Sequence, residues 1–387
     1  MKFRRIDELP PYVFATVDEL KRRLRREGRD VIDLGFGNPD LPSPALVVEK
    51  LAEAAAKPTN HRYSASRGIP RLRDAVAELY ERRYSVRLDP EREVVATIGA
   101  KEGLAHLMWV LLEPGDVAVV PTPSYPIHLV APRLAGATVL AARIQAGTID
   151  GVEDAVRAAT PSPRVLIISF PHNPTTATAT PELMQRLVDL AREREMIVVH
   201  DFAYADIAFD GHEPPSVLQA EGAHECAIEL YSLTKSFSMA GWRVGFVVGR
   251  ADVVQALAKL KSYLDYGTFQ PIQIASIVAL REAGDYPAEV CEIYRARRDA
   301  LISGLARAGW EVDPPRGTMF VWAPIPERFR DQGSLAFALR LAEEASVAVS
   351  PGVGFGEGGE GFVRFALVEN EQRIGQAARS IRKLLAT

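Results

Sequence analysis

The sequence predicts an α/β fold: a mostly parallel sheet with helices on both faces, joined to a smaller α+β domain. Two observations carry that reading. From about residue 94 to residue 250, short β-branched runs alternate with stretches of helical period, the pattern of strand and crossover helix. From about residue 275 the alternation stops, and long helical stretches enclose a few short strand-like runs. The large domain is expected at residues 46-274 and the small one at 1-45 and 275-387. A chain of 387 residues, 47% hydrophobic and 25% charged, can bury a large core without disulfides or structural metals.

In chain order, VDELKRRLRREGRD (17–30) predicts a charged helix stopped at Gly28, its basic run a solvated face. EVVATIG (93–99) predicts a strand and KEGLAHLMWVLL (101–112) a helix. Strands follow at DVAVVPTPSY (116–125), ATVLAARI (137–144) and RVLIISF (164–170). PELMQRLVDLARERE (181–195) predicts a helix with Thr180 as its cap and Pro181 in its first turn. MIVVHD (196–201), AIELYSL (227–233) and WRVGFVVG (242–249) complete the large sheet. Beyond it come a long helix at 287–309, strands at MFVWAP (319–324) and FVRFALV (362–368), and a last helix at 371–386.

Net charge is −4 and the pI is about 6.1, so nothing in the overall charge favours nucleic acid. The two cysteines, Cys226 and Cys291, have neither metal-ligand spacing nor the density of a disulfide scaffold. The N-terminus lacks the apolar core of a secretory signal, and no apolar run approaches a membrane span. These features predict a cytoplasmic protein without a membrane or nucleic-acid partner.

In open α/β sheets, ligands bind beyond the carboxyl ends of the strands. Gly99, Ala100 and Lys101 follow the first strand and open a helix, where free backbone N–H groups suit an anion. Ser124 and Tyr125 follow the next strand; Pro171, His172 and Asn173 follow RVLIIS; Asp201 and Tyr204 follow MIVVH; Ser232 and Lys235 follow AIELY. An anion cradle, an aromatic ring, an amide, a carboxylate, a phenol and an amine at successive strand ends match a phosphorylated pyridine aldehyde, pyridoxal 5'-phosphate. Lys235 would condense with the aldehyde. Asp201 would keep the ring nitrogen protonated. Asn173 and Tyr204 would donate to the phenolic oxygen, and Tyr125 would stack on the ring. Ala100 and Lys101 backbone, Ser232 and Arg243 would hold the phosphate.

The ordered set GNPD (37–40), YSASRGIPRLRDAV (63–76), IGAKEGLAHL (98–107), PSYP (123–126), HNPT (172–175), HDFAYAD (200–206), SLTKSFSMAGWRVGF (232–246) and FVRFAL (362–367) resembles the class I and II aminotransferases of the pyridoxal-phosphate fold type I superfamily. Within them it is most similar to the bacterial alanine-forming glutamate–pyruvate enzymes. The resemblance implies a homodimer in which Tyr63 reaches the neighbour's cofactor phosphate and YGTF (266–269) lines the partner's site. It implies that Arg364 grips the substrate α-carboxylate as a bidentate pair and that Gly37 contacts the same group. Two departures stand out: Thr176 where the family usually has Gly, and SFSM (236–239) after the lysine.

The expected reaction is reversible amino transfer between glutamate or alanine and a 2-oxo acid, with Lys235 as general base. Aspartate or diaminopimelate as donor, or a carbon–sulfur lyase, are alternatives that fold alone does not separate. The Lys101 side chain is expected either to favour a distal carboxylate or to be solvated. PGVGFGEGGEG (351–361) imitates a dinucleotide loop but precedes a strand, and reads as a mobile loop leading to Arg364. No histidine has helix-face metal spacing, and His200 is expected to support Asp201 from behind or to pack silently.

Overall fold

The computed structural model describes residues 1–7, 9, 12–143 and 150–386. A seven-stranded sheet organises them. Its strands are β1 (Val94–Thr97), β2 (Val117–Thr122), β3 (Thr138–Arg143), β4 (Val165–Ile168), β5 (Ile197–Asp201), β6 (Ala227–Ser232) and β7 (Gly245–Gly249). Across the sheet the order is β1-β7-β6-β5-β4-β2-β3. Strand β7 runs antiparallel to both neighbours; every other pairing is parallel.

Alternation along each strand divides its side chains between two helical layers. Val95, Val120, Ile167, Val199, Leu230 and Val247 face helices Ala100–Leu111, Pro126–Ala135 and Ala251–Leu264. Val94, Tyr231, Phe246 and Val248 face helices Pro70–Tyr84 and Gln270–Glu282, while Leu166, Ile168 and Val198 face Pro181–Glu193. Burial on both faces explains why these strands read as continuous apolar runs. Glu229 on β6 is the polar exception. Its buried carboxylate accepts from Tyr80 Oη (2.8 Å), Ser216 Oγ (2.8 Å) and the Val217 N–H (2.9 Å).

A three-stranded antiparallel sheet follows, made of β8 (Phe320–Pro324), β9 (Ser350–Pro351) and β10 (Phe362–Ala366) in the order β9-β10-β8. Helices Tyr286–Ala306, Ser334–Ala345 and Glu371–Ala386 pack on it around Trp310, Phe337 and Phe365. The N-terminal segment meets this body twice. Ile32–Asp33 pairs with Val347–Ala348, and Val17, Leu20 and Leu24 of helix Phe14–Arg26 pack on Ala342 and Ala348.

Two expectations change in detail, and a third is met as far as the described residues reach. The strand expected from 242 begins at Gly245, because Ala240–Trp242 forms a 3₁₀ turn and Arg243 has φ +57°. The strand expected at 137–144 is β3; residue 144 lies outside the described residues. The glycine-rich stretch 351–361 is built into two 3₁₀ turns, Gly352–Phe355 and Glu357–Gly359, that lead straight into β10. Thr180 caps its helix as expected, Oγ1 accepting from the Leu183 N–H at 3.3 Å. Among the described residues no helix is long and apolar enough to cross a membrane.

Candidate active site

The carboxyl ends of the parallel strands open onto a cavity of about 410 Å³, closed on its far side by the N-terminal segment and by β10. Of the residues expected at the site, Gly37, Ala100, Lys101, Tyr125, Asn173, Asp201, Tyr204, Ser232, Lys235, Arg243 and Arg364 line it. Tyr63 does not. It stands 84% exposed on the surface, its ring 4.4 Å from that of Tyr266.

Lys235 sits in a single helical turn, Leu233–Ser236, that begins where β6 ends. Its Nζ donates to the Gly37 carbonyl at 2.7 Å. Burial, with the cationic Arg364 and Arg243 nearby, pushes the amine down to about 7. Ser232 caps the turn, its Oγ accepting from the Thr234 N–H at 3.2 Å. At the end of β5, Asp201 presents its two oxygens differently. His128 Nε2 lies 2.8 Å from Oδ2, and Ser124 Oγ lies 2.8 Å from His128 Nδ1. Oδ1 is buried without a partner among the described residues. Such an orphan is costly unless a donor arrives.

Arg364 is buried on β10 with no carboxylate beside it among the described residues. Burial pulls its guanidinium down to about 10. Nη1 donates to Asn173 Oδ1 at 2.6 Å and Nη2 to the Gly35 carbonyl at 3.2 Å. Phe320 and Phe355 lie against the two sides of the group, 3.8 and 4.6 Å from Cζ to the ring centroids. Because Asn173 gives its oxygen to Arg364, its Nδ2 remains free to donate. Tyr204 stands edge-on to Phe320, with 5.7 Å between ring centres, and burial pushes its phenol up. A Cβ at Gly37 would sit 2.5 Å from the Phe320 ring, so only glycine lets that ring close under the arginine.

The helix start expected to hold a phosphate is shaped by backbone. Gly99, at φ +80°, opens helix Ala100–Leu111 without a side-chain cap. The Arg243 guanidinium packs on the face of Gly99 where a Cβ would be, and Nη1 donates to the Ala240 carbonyl at 3.0 Å. A Cβ at Gly245 would come 2.6 Å from the Ala100 nitrogen, so β7 and the helix start approach closely. Lys101 Nζ lies 5.5 Å from the Tyr125 ring centroid. An amine, an orphaned carboxylate oxygen, a free amide donor and an uncapped helix start beside a cation fit pyridoxal 5'-phosphate group by group.

Sequence reasoning missed several of these residues. His128 holds the Asp201 carboxylate, one of the two roles expected of His200; His200 neither does this nor packs silently but pairs with Glu229, Nδ1 to Oε2 2.8 Å. Phe320, Phe355 and Phe14, which also line the cavity, carried no polar signal. Glu102, His106 and Asp265 lie close together, and Lys261 Nζ sits among them, 3.1 Å from Glu102 and 3.0 Å from Asp265. Their charge is answered by an ammonium. Thr176 adopts φ +62°, a conformation that suits glycine, which accounts for the family's usual residue there.

Comparison with known proteins agrees over the whole chain. The profile of the family described as "Aminotransferase class I and II" matches residues 29–381. Glutamate-pyruvate aminotransferase AlaC of Escherichia coli is 49% identical over 385 residues, covering 99% of this chain and 93% of that one. LL-diaminopimelate aminotransferase of Moorella thermoacetica is 42% identical, covering 99% and 98%. The substrate-bound structure of BacF from Bacillus subtilis superposes with a TM-score of 0.92 at 34% identity, covering 99% and 98%. With its sheet order, its strand-end residues and these matches in agreement, the chain belongs to the class I and II aminotransferases.

Proposed function

We propose that this aminotransferase holds pyridoxal 5'-phosphate in the cavity and moves an amino group between glutamate or alanine and the oxo acids pyruvate and 2-oxoglutarate. The observation that carries the reading is the Lys235 amine, aimed into the cavity at Gly37 and poised near neutrality. The 49% identity with AlaC over nearly the whole chain supports the glutamate–pyruvate pair. Diaminopimelate is the alternative donor, supported by the Moorella relative.

The cofactor, when bound, supplies an aldehyde that accepts the amino group and a ring that withdraws electrons from the substrate α-carbon. The protein supplies the rest. Ala100 and Lys101 N–H groups, Ser232 and Arg243 would hold the phosphate. Tyr125 would stack on the ring, and Asn173 Nδ2 and Tyr204 Oη would donate to its phenolic oxygen. Asp201, pinned through Oδ2 by His128, would turn its unpartnered Oδ1 to the ring nitrogen and keep a proton there. Arg364 and Gly37 would take the substrate α-carboxylate, and among the described residues Arg364 has no carboxylate partner to displace. Lys235 Nζ, half neutral near pH 7, would take the α-proton and hold it until it is returned. Lys101 Nζ would favour a distal carboxylate. We further propose a cytoplasmic homodimer that serves alanine formation, with Tyr63 of each chain completing the other's phosphate site.

The test has two parts. Purified protein soaked in pyridoxal 5'-phosphate should gain visible absorbance that borohydride fixes covalently to the chain, and Lys235→Ala should still bind cofactor but lose that covalent attachment and lower turnover at least ~10³-fold. A panel of amino acids against pyruvate and 2-oxoglutarate should then give glutamate and alanine the highest kcat/KM. Protein that stays colourless would end the cofactor reading; fastest turnover with diaminopimelate would replace the substrate reading.

A further inference from the structure

We infer that Phe14, the first residue of the N-terminal helix, is a positioning residue for Arg364. This rests on the reading of Arg364 as the grip for the substrate α-carboxylate. A chain of ring contacts links them. The Phe14 ring meets the Phe355 ring edge-on, 5.1 Å between centroids at 65°. Phe355 in turn lies 4.6 Å from Arg364 Cζ. On its other side the guanidinium rests on Phe320, which stands on Gly37. The Phe320 side is backed by the Gly37 main chain and Tyr204, the Phe355 side by the rings of Phe14 and Trp322.

Phe14 is itself held by a missing side chain. A Cβ on Gly354 would lie 2.7 Å from Phe14 Cζ, so the ring rests directly on that glycine's backbone. The turn bearing Gly354 and Phe355 is anchored to the cofactor side as well, the Ser124 N–H donating to the Phe355 carbonyl at 2.8 Å. Both Phe14 and Phe355 line the cavity. An arginine has long torsional freedom, and a bidentate grip needs its plane fixed. With Nε buried and unpartnered among the described residues, the plane is set by two hydrogen-bonded nitrogens and two rings. Removing Phe14 takes away one of the two rings that seat Phe355, the other being Trp322, and so loosens that side of the guanidinium. The effect falls on carboxylate binding and leaves the chemistry at Lys235 untouched.

The experiment uses protein loaded with pyridoxal 5'-phosphate and propionate, a carboxylate with neither amino nor oxo group, titrated calorimetrically. Phe14→Ala should weaken propionate at least ~5-fold and raise KM for alanine and pyruvate by a similar factor. Its kcat should stay within about twofold, and its cofactor affinity should be unchanged. Gly354→Ala, which keeps the phenyl ring but pushes it off its seat, should act in the same direction. In the Phe14→Ala background the added methyl has room, so the double variant should match Phe14→Ala alone. Unchanged propionate affinity in both single variants, additive penalties, or a fall in kcat at constant KM would overturn the inference. Wild-type protein that binds no propionate would overturn the Arg364 reading and this inference together, a result separable from any variant's behaviour.

Discussion

Lys235 shows how a residue's surroundings set its chemistry. Its side chain is half-buried, yet its amine lies deep beside two arginines, and its pKa falls from the ordinary 10.5 to about 7. Between those values the unfolded chain holds a proton that the folded chain lacks. The penalty to stability is therefore full below about 7 and fades as pH rises toward 10.5. Lys235→Met should raise the Tm of the cofactor-free protein at pH 6.5, and the gain should shrink steadily to pH 10; a gain independent of pH would mean the amine is not perturbed. Much of this site was legible, because a polar residue at the end of a short apolar run has few places to go but the strand-end rim. Lys235, Asp201 and Asn173 were readable on that ground. His128 was not: it lies one turn into a helix, and its partner is 73 residues away, a contact that no local period encodes. The rings around Arg364 were equally silent, since an aromatic in an apolar run looks like core.

At the scale of elements, two backbone positions carry sharp expectations. Gly99 combines φ +80° with the Arg243 guanidinium in the place of its absent side chain. Gly99→Ala should weaken pyridoxal 5'-phosphate binding at least ~10-fold, through backbone strain and displacement of the cation, with little change in the rest of the sheet. Fluorescence titration of the cofactor checks this. Thr176 is the opposite case, a β-branched residue at φ +62°. Replacing it with glycine should relieve strain and raise the unfolding free energy by about 0.5–1 kcal/mol, net of the entropy that glycine adds to the unfolded chain, read as a higher urea midpoint at unchanged slope. The strand and helix pattern of the large sheet was readable because burial on both faces makes each strand a plain apolar run. The order in which those strands lie was not, since pairing partners are chosen by crossover packing and leave no mark in any one segment. The start of β7 was misjudged for a related reason: a left-handed Arg243 is fixed by what the guanidinium reaches, not by its neighbours in sequence.

At the scale of the whole molecule, Tyr63, Tyr263, Tyr266 and Phe269 leave large rings in water. The Tyr63 and Tyr266 rings touch, 4.4 Å between centroids, and exposed aromatic clusters of this kind mark surfaces that another protein covers. Under the proposal of a homodimer, sedimentation should give twice the chain mass, and Tyr63→Phe should weaken cofactor binding through the lost hydroxyl. A monomer with wild-type cofactor affinity would remove both expectations. Tyr63 was reachable only by resemblance, because its meaning lies in a second chain. The reversed strand β7 has a consequence of its own. The hairpin from Ser232 to Gly245 is paired residue to residue at its base, with Thr97 on the far side of Gly245. Had β7 run with its neighbours, Lys235 and Arg243 would stand at opposite rims, a full strand apart. Turning one ribbon around puts both on a single short tether, so under the proposed function lengthening or shortening that tether by even one residue should uncouple cofactor attachment from phosphate binding while the rest of the scaffold stays sound.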